Sequence, residues 1–339
     1  MGGDRSFIRR LNTAAGMALV ISLLAALYLN IILSVALAGT ETGEFCPDCP
    51  DWTDLEGWLA KKDAYEKEQM NSVLKNVPAS NSSTMSAKVE DETKGYPVPE
   101  LLTAAGASRS GMVVLDVRPA KDYQGGHISG ARNLYWKDLQ KDGSLNTEFA
   151  ERALKKAGVN DSDRLLIYGG SDEGPFYAFW ALCYLGHEKS SLLDGGLEAA
   201  VRANTKLDTY VPAFPESNYT IHTLPWLLVT KDNLDSLLNL TGLEVLDARD
   251  FVDYGKSKLT NTAIPFSPDK LYEDSKIKDA VFLEDLLNQR GLNKEGIQLV
   301  YGTPQAYSLF YSLKLTGYNA TLLEGDWWKE TKWAVSGIK

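Results

Sequence analysis

The spacing of apolar positions changes character along the chain. Residues 14–38, AAGMALVISLLAALYLNIILSVALA, carry no charged side chain. At 1.5 Å per residue they are long enough to cross a hydrocarbon core of about 30 Å with some tilt. Over 53–77 the apolar residues Trp52, Leu55, Trp58, Leu59, Tyr65, Met70 and Val73 fall along one broad side of a predicted helix, and Thr53 with Glu56 has the form of a capping box. Residues 78–95 are small, polar and aperiodic, which predicts a flexible linker. From about Tyr96 onward, short apolar runs of strand type alternate with helical segments, the signature of a mostly parallel sheet with helices on both faces.

Two stretches dominate this last region. Residues 165–197, LLIYGGSDEGPFYAFWALCYLGHEKSSLLDGGL, predict a buried strand, a tight glycine loop, an apolar helix of three turns and a second strand closed by Asp-Gly-Gly. Residues 299–327, LVYGTPQAYSLFYSLKLTGYNATLLEGDW, repeat that order and close on Glu-Gly-Asp. Asp116-Val117-Arg118 returns as Asp247-Ala248-Arg249, Tyr168-Gly169 as Tyr301-Gly302, and Asp194-Gly195 as Glu324-Gly325. The near-constant displacement means duplication, so two α/β domains of about 110 residues each are expected. In the first, a strand over 112–117, a turn over 122–126 and a helix over 148–157 precede the block.

A loop that ends a strand and opens a helix aims backbone N–H groups and the positive end of the helix dipole at one point, a geometry that suits an anion or a thiolate. Asp172 and Glu173 in the first loop oppose an anion by charge. Gly302, Thr303, Pro304, Gln305, Ala306, Tyr307 and Ser308 form a neutral second loop, whose N–H groups leave a small anion or polar ligand as one reading and plain structural decay as the other.

Charge and cysteines add the compartment. The net charge of −10 and the lack of Lys/Arg clusters exclude nucleic-acid binding and a polybasic lipid face. Arg5, Arg9 and Arg10 precede the apolar span and Glu41, Glu44, Asp48 and Asp51 follow it, which orients the N-terminus to the cytoplasm and the rest outside. A cleaved signal peptide ending at Ala36-Leu37-Ala38 is the rival reading, but the apolar run is about twice the usual length for one. Glycosylation sequons begin at Asn81, Asn160, Asn218, Asn239 and Asn319. Cys46 and Cys49 form a C-x-x-C pair, read as a structural disulfide beside the membrane, with a redox or persulfide-relay pair as the alternative. Cys183 belongs to an apolar helix face and reads as core. No residue set predicts a metal, and no cofactor is expected. His187 reads as satisfying carbonyls at a helix end, His222 has no evident purpose, and Trp327, Trp328 and Trp333 read as sealing a core edge.

Residues 113–133, VVLDVRPAKDYQGGHISGARN, resemble the first signature of the rhodanese superfamily, and 192–197, LLDGGL, with Glu324-Gly325-Asp326-Trp327, resemble the ends of its two domains. Over 96–333 the chain is similar to the tandem thiosulfate and mercaptopyruvate sulfurtransferases; GKSKLTNTAIP at 255–265 is a worn second signature. The resemblance implies two three-layer rhodanese-like domains, with Asp116–Arg118 and Asp247–Arg249 as ion pairs at the domain base and His127 holding a surface loop. It places the family's persulfide-forming cysteine at Gly302, with Gly169 as the first domain's equivalent, and glycine supplies no thiolate.

The expected organisation is a cytoplasmic 1–13, a transmembrane 14–38, a juxtamembrane 39–95, rhodanese-like domains at 96–203 and 226–339, and a connector at 204–225. The expected function is that of a degenerate, single-pass cell-membrane protein anchored in lipid, an accessory or binding subunit with a membrane or cell-surface partner. The alternative is a sulfurtransferase carrying sulfur on Cys46 or Cys49, which a flexible 18-residue linker would let reach about 20–25 Å.

Overall fold

The structure is a computed structural model, and it describes residues 95–337 together with Gly57, Lys61 and Ala64. Residues 1–83 and 84–339 form separate compact units. In the first, the three described residues are helical, inside the helix predicted over 53–77. The predicted span 14–38, Cys46, Cys49 and Asn81 lie outside the described residues. Among the described residues no helix is long and apolar enough to cross a membrane.

Two five-stranded, all-parallel sheets make up the larger unit. The first takes β1 (Leu102–Thr103), β2 (Val113–Asp116), β3 (Arg132–Asn133), β4 (Leu165–Tyr168) and β5 (Ser190–Leu193) in the order β1-β5-β4-β2-β3. The second takes β6 (Leu228–Val229), β7 (Leu243–Asp247), β8 (Ile264–Pro265), β9 (Ile297–Tyr301) and β10 (Ala320–Leu323) in the matching order β6-β10-β9-β7-β8. Identical order in both sheets is what the sequence duplication requires. Strand β2 begins and ends one residue inside the run predicted over 112–117.

Eight helices serve these sheets, four to each. They are α1 (Ala120–Gly125), α2 (Thr147–Lys156), α3 (Gly174–Tyr184) and α4 (Gly196–Arg202), then α5 (Leu234–Leu238), α6 (Phe251–Lys256), α7 (Ala280–Gln289) and α8 (Gln305–Leu315). Capping sets several starts: Asn146 Oδ1 accepts from the Phe149 N–H to open α2, and Asp279 Oδ1 does the same for Phe282 at α7. The turn expected over 122–126 is the end of a helix, α1, because Pro119 supplies a ready-made first φ and its carbonyl accepts from Asp122 and Tyr123.

Side chains alternate across each sheet as the pleat demands. In the first sheet Leu115, Leu165 and Ile167 face one way, toward α2 and α3, while Val114, Leu166 and Tyr168 face Tyr123 of α1 and Ala200 of α4. In the second, Leu246, Val300 and Leu322 join the same core as Leu115 and Leu165, and Val245, Leu299 and Tyr301 meet a separate cluster around Trp328. The two sheets therefore share one central core. Helices α3 and α8 meet in it, through Tyr177 on Tyr307 (ring centroids 5.0 Å), Trp180 on Tyr307 (5.4 Å) and Phe179 on Tyr311 (5.0 Å).

The 204–225 connector is more than a tether. Leu207–Asp208 pairs antiparallel with His127–Ile128, and Tyr219 is buried against His187. The His222 N–H donates to the Leu185 carbonyl, which gives that residue a backbone role.

Candidate functional site

Each sheet ends in the same polar device. Asp116 is wholly buried at the end of β2 and takes a two-pronged contact from Arg118, Nε to Oδ1 at 2.9 Å and a second guanidinium N–H to Oδ2 at 2.5 Å. Asp247 at the end of β7 receives Arg249 in the same way, at 2.9 and 2.6 Å. Each guanidinium also caps a carbonyl, of Gly126 or Ser257, and each lies over a tyrosine ring, Tyr168 at 5.9 Å or Tyr301 at 5.6 Å. The phenols in turn accept the Ile128 and Leu259 N–H groups, both at 3.0 Å. The pairs stand at the carboxyl ends of the central strands, beside the loops, and not at the domain base as the family resemblance suggested.

That device fills the place of a loop side chain. Gly302 follows Tyr301 with φ +91°, and a Cβ there would meet Arg249 Cγ at 2.5 Å and Asp247 Oδ1 at 3.2 Å. At Gly169 a Cβ would meet Pro175 Cγ at 2.8 Å and Val117 Cγ2 at 3.2 Å. At either position a side chain would force a neighbour to shift.

The second loop is largely spoken for. Its Thr303–Pro304 bond is cis. The Ala306 and Tyr307 N–H groups donate to the Gly302 and Pro304 carbonyls, and Thr303 Oγ1 accepts from the Gly325 N–H at 3.2 Å. Ala306, Tyr307 and Ser308 are buried, Thr303 and Gln305 half-buried, and Pro304 exposed. Tyr307 donates to the buried Glu324 carboxylate at 3.1 Å. That carboxylate also takes the Leu145 N–H, and burial raises its pKa.

The first loop, residues 169–173, opens instead into a cavity of about 320 Å³. One wall is that loop with Asp194, Gly195 and Gly196. The other is the 268–277 segment of the second sheet's half, a 3-10 turn (Pro268–Leu271) and a two-residue hairpin whose Asp274 and Ser275 both have positive φ, 48° and 63°. Phe176, Tyr272 and Tyr311 give it an aromatic side, with Phe176 5.3 Å from Tyr272 and 5.7 Å from Tyr311. Asp194 Oδ1 accepts the Ile277 N–H at 3.0 Å and so ties the two walls together.

Glu173 is the group most altered by this setting. Its Oε1 accepts from Ser308 Oγ at 3.3 Å, and its Oε2 is closed off from solvent with no hydrogen-bond partner. Burial first, then the nearby Asp172 and Asp269, push its carboxyl up to about 7; the Ser308 hydroxyl pulls the other way.

Other predicted residues divide. Cys183 is half-buried against the core, and burial pushes its thiol up to about 12, far from a reactive thiolate. Burial raises the phenols of Tyr168, Tyr272, Tyr301 and Tyr307, so none ionises near neutral pH. His127 is not on a surface loop: it is fully buried in a two-residue strand, its ring stacked on Tyr123 at 3.8 Å and its Nδ1 2.9 Å from the Tyr123 carbonyl. His187 is buried too, but its ring bonds the Asp163 carbonyl and the Tyr219 hydroxyl, and only its backbone N–H caps its own helix end, at the Leu182 carbonyl. Trp328 seals the outer core against Tyr301 and Arg249 as expected, and Trp327 and Trp333 flank it half-buried. Asn160, Asn218, Asn239 and Asn319 are all exposed. Among the described residues no three of His, Cys, Asp and Glu converge as metal ligands. Sequence reasoning missed the cavity walls at 268–277; the repeated hairpin turn, Asp142-Gly143 and Asp274-Ser275, was the available signal.

Residues 100–203 match the family described as Rhodanese-like domain. A protein named "Putative thiosulfate sulfurtransferase" from Haloferax volcanii is 23% identical over 66% of this chain and 85% of its own length. The sulfur carrier protein TtuD of Thermus thermophilus is 30% identical over 29% of this chain, an alignment that spans only 36% of that protein. Among solved structures, the 3-mercaptopyruvate sulfotransferase SseA of Escherichia coli has a TM-score of 0.59 at 21% identity, covering 67% of this chain and 98% of that one. An anaerobic ergothioneine biosynthesis enzyme of Chlorobium limicola has a TM-score of 0.62 at 17% identity, covering 72% of each chain. Residues 100–203 are thus a rhodanese-like domain, and the duplicated sheets with their strand-end Asp–Arg pairs share their fold with these solved structures.

Proposed function

We propose that this protein is a rhodanese-like binding subunit that has given up sulfur transfer. In this reading residues 14–38 anchor it in a cell membrane and the two-sheet body stands outside the cytoplasm as an accessory part of a membrane or cell-surface assembly. The observation that carries the loss of chemistry is Gly302, where the Asp247–Arg249 pair occupies the volume a loop nucleophile would need. Persulfide formation needs an accessible thiolate, and the one cysteine among the described residues is half-buried with a raised pKa.

The full chain in neutral detergent, given thiosulfate or mercaptopyruvate with cyanide, is expected to form no thiocyanate above the blank. Turnover would overturn the reading. The names of the relatives favour a second one, transfer through Cys46 or Cys49, and turnover abolished by Cys46→Ser/Cys49→Ser would establish it. The accessory role itself is checked by isolating the chain from its native membrane: a stoichiometric membrane-protein companion is expected, and recovery of the chain alone counts against it.

A further inference from the structure

We propose that the cavity at the first loop binds a small organic cation, one carrying a primary or methylated ammonium group. The inference deepens the binding role above by naming the chemistry of one ligand, and its readout does not depend on sulfur transfer.

The lining decides the sign of the ligand. Asp172, Glu173, Asp269, Glu273 and Asp274 bring five carboxylates to the cavity beside the engaged Asp194; no Lys, Arg or His lines it, and Lys276 stands at its edge against Gly195. The start of α3 offers the equivalent of about half a positive charge. Against several formal negative charges it loses, so this mouth, built on the same strand–loop–helix plan as an anion cradle, attracts cations.

The walls decide the kind of cation. Phe176, Tyr272 and Tyr311 present ring surface on the inner side, which suits the soft, weakly hydrated face of an alkylated ammonium. The carboxylates come from the loop, the β5 end and the 268–277 hairpin, and they do not converge as a metal cage among the described residues. The volume of about 320 Å³ is at the small end of ligand pockets.

One atom asks for a donor. Glu173 Oε2 is sealed from solvent and unpartnered, while its sister Oε1 is held by Ser308. Glu173 lines the cavity, so a cation held there balances the charge that this oxygen carries without a partner of its own. The groups facing Glu173 are Asp172 on its own loop, Asp269 on the facing turn, Ser308 and Tyr307 on α8, and Tyr272 on the hairpin. With the carboxyl held up to about 7, binding should strengthen as pH rises from 6 to 8 and Glu173 ionises.

Calorimetric titration of choline, and separately 1,4-diaminobutane, into the full chain in neutral detergent at pH 6 and pH 8 tests this. Saturable binding of at least one, tighter at pH 8, is expected. Glu173→Gln should weaken it about fivefold or more and flatten the pH dependence. Ser308→Tyr, which puts a ring into the cavity, should abolish it. Thermal unfolding of both variants establishes that they are folded, and Glu173→Gln decides alone if Ser308→Tyr is not. No heat from either amine at pH 8, equal affinity in Glu173→Gln, or saturation by calcium or thiosulfate with none by the amines would each overturn the proposal. A thiocyanate assay on the same preparation reports separately on the loss of sulfur transfer.

Discussion

The two loop mouths descend from one plan and have ended in opposite states. Both follow a central strand, open a buried helix and face a hairpin of the other half. At the first mouth α8 contributes Ser308, the fourth residue of its helix, and the facing turn starts with Pro268; the result is a hollow. At the second, the fourth residue of α3 is Tyr177 and the facing turn starts with Trp136; their rings meet tilted at 5.1 Å, and Tyr177 meets Tyr307 edge-on at 5.0 Å. Small residues left a hollow on one side and large ones filled the other. The difference teaches that duplication fixed the backbone while the contents of each mouth drifted by side-chain size.

Five substitutions bear on that contrast, the largest effect first. Asp247→Asn strands a buried guanidinium beneath the filled mouth and should cost roughly 3–5 kcal/mol in urea unfolding. Asp116→Asn, under the hollow mouth, should cost a comparable amount if the two devices are equivalent, and a near-zero value for either would break the comparison. Tyr177→Ser removes the ring that fills the second mouth and should cost about 3–4 kcal/mol while creating a cavity there; a new amine-binding site at that position would make size the whole explanation. Gly302→Cys should cost roughly 2–4 kcal/mol, because φ is +91° and Arg249 Cγ lies 2.5 Å from the added carbon. Gly169→Cys, with ordinary φ, should cost less, and neither should produce thiocyanate.

The smallest effect is one of pH. The folded chain holds the Glu173 proton up to about 7 against an ordinary value of about 4.5, so it binds more protons than the unfolded chain in that interval. Stability therefore falls as pH climbs from about 4.5 to about 7 and stays lower above it. Glu173→Gln should match the parent near pH 4.5 and exceed it by about 1–2 kcal/mol at pH 8, measured by denaturant midpoint.

How far the sequence could be read follows from where each feature is encoded. The duplication was visible because Asp-x-Arg, Tyr-Gly and the closing acid-glycine pairs are local and recur at one interval, and they are the residues that make the strand-end network. His127 misled because the family resemblance put it on a surface loop, whereas the residue is buried by stacking on Tyr123 and by pairing with Asp208, 81 residues away by number. The cavity was illegible for the same reason. Its walls come from 169–176, 192–196 and 268–277, and only folding brings Ser308 opposite Glu173. Local sequence offered the acids of the first loop but not the space in front of them.

Asp194 and Glu324, the acids that close the two repeats, each reach out of their own half: one takes the Ile277 N–H, the other the Leu145 N–H. Cleaving the chain in the connector would leave every fragment with an orphaned hairpin donor and a bare aromatic helix. What began as two copies is now a single inheritance, and neither repeat remains free to be shed, shuffled or swapped without the other.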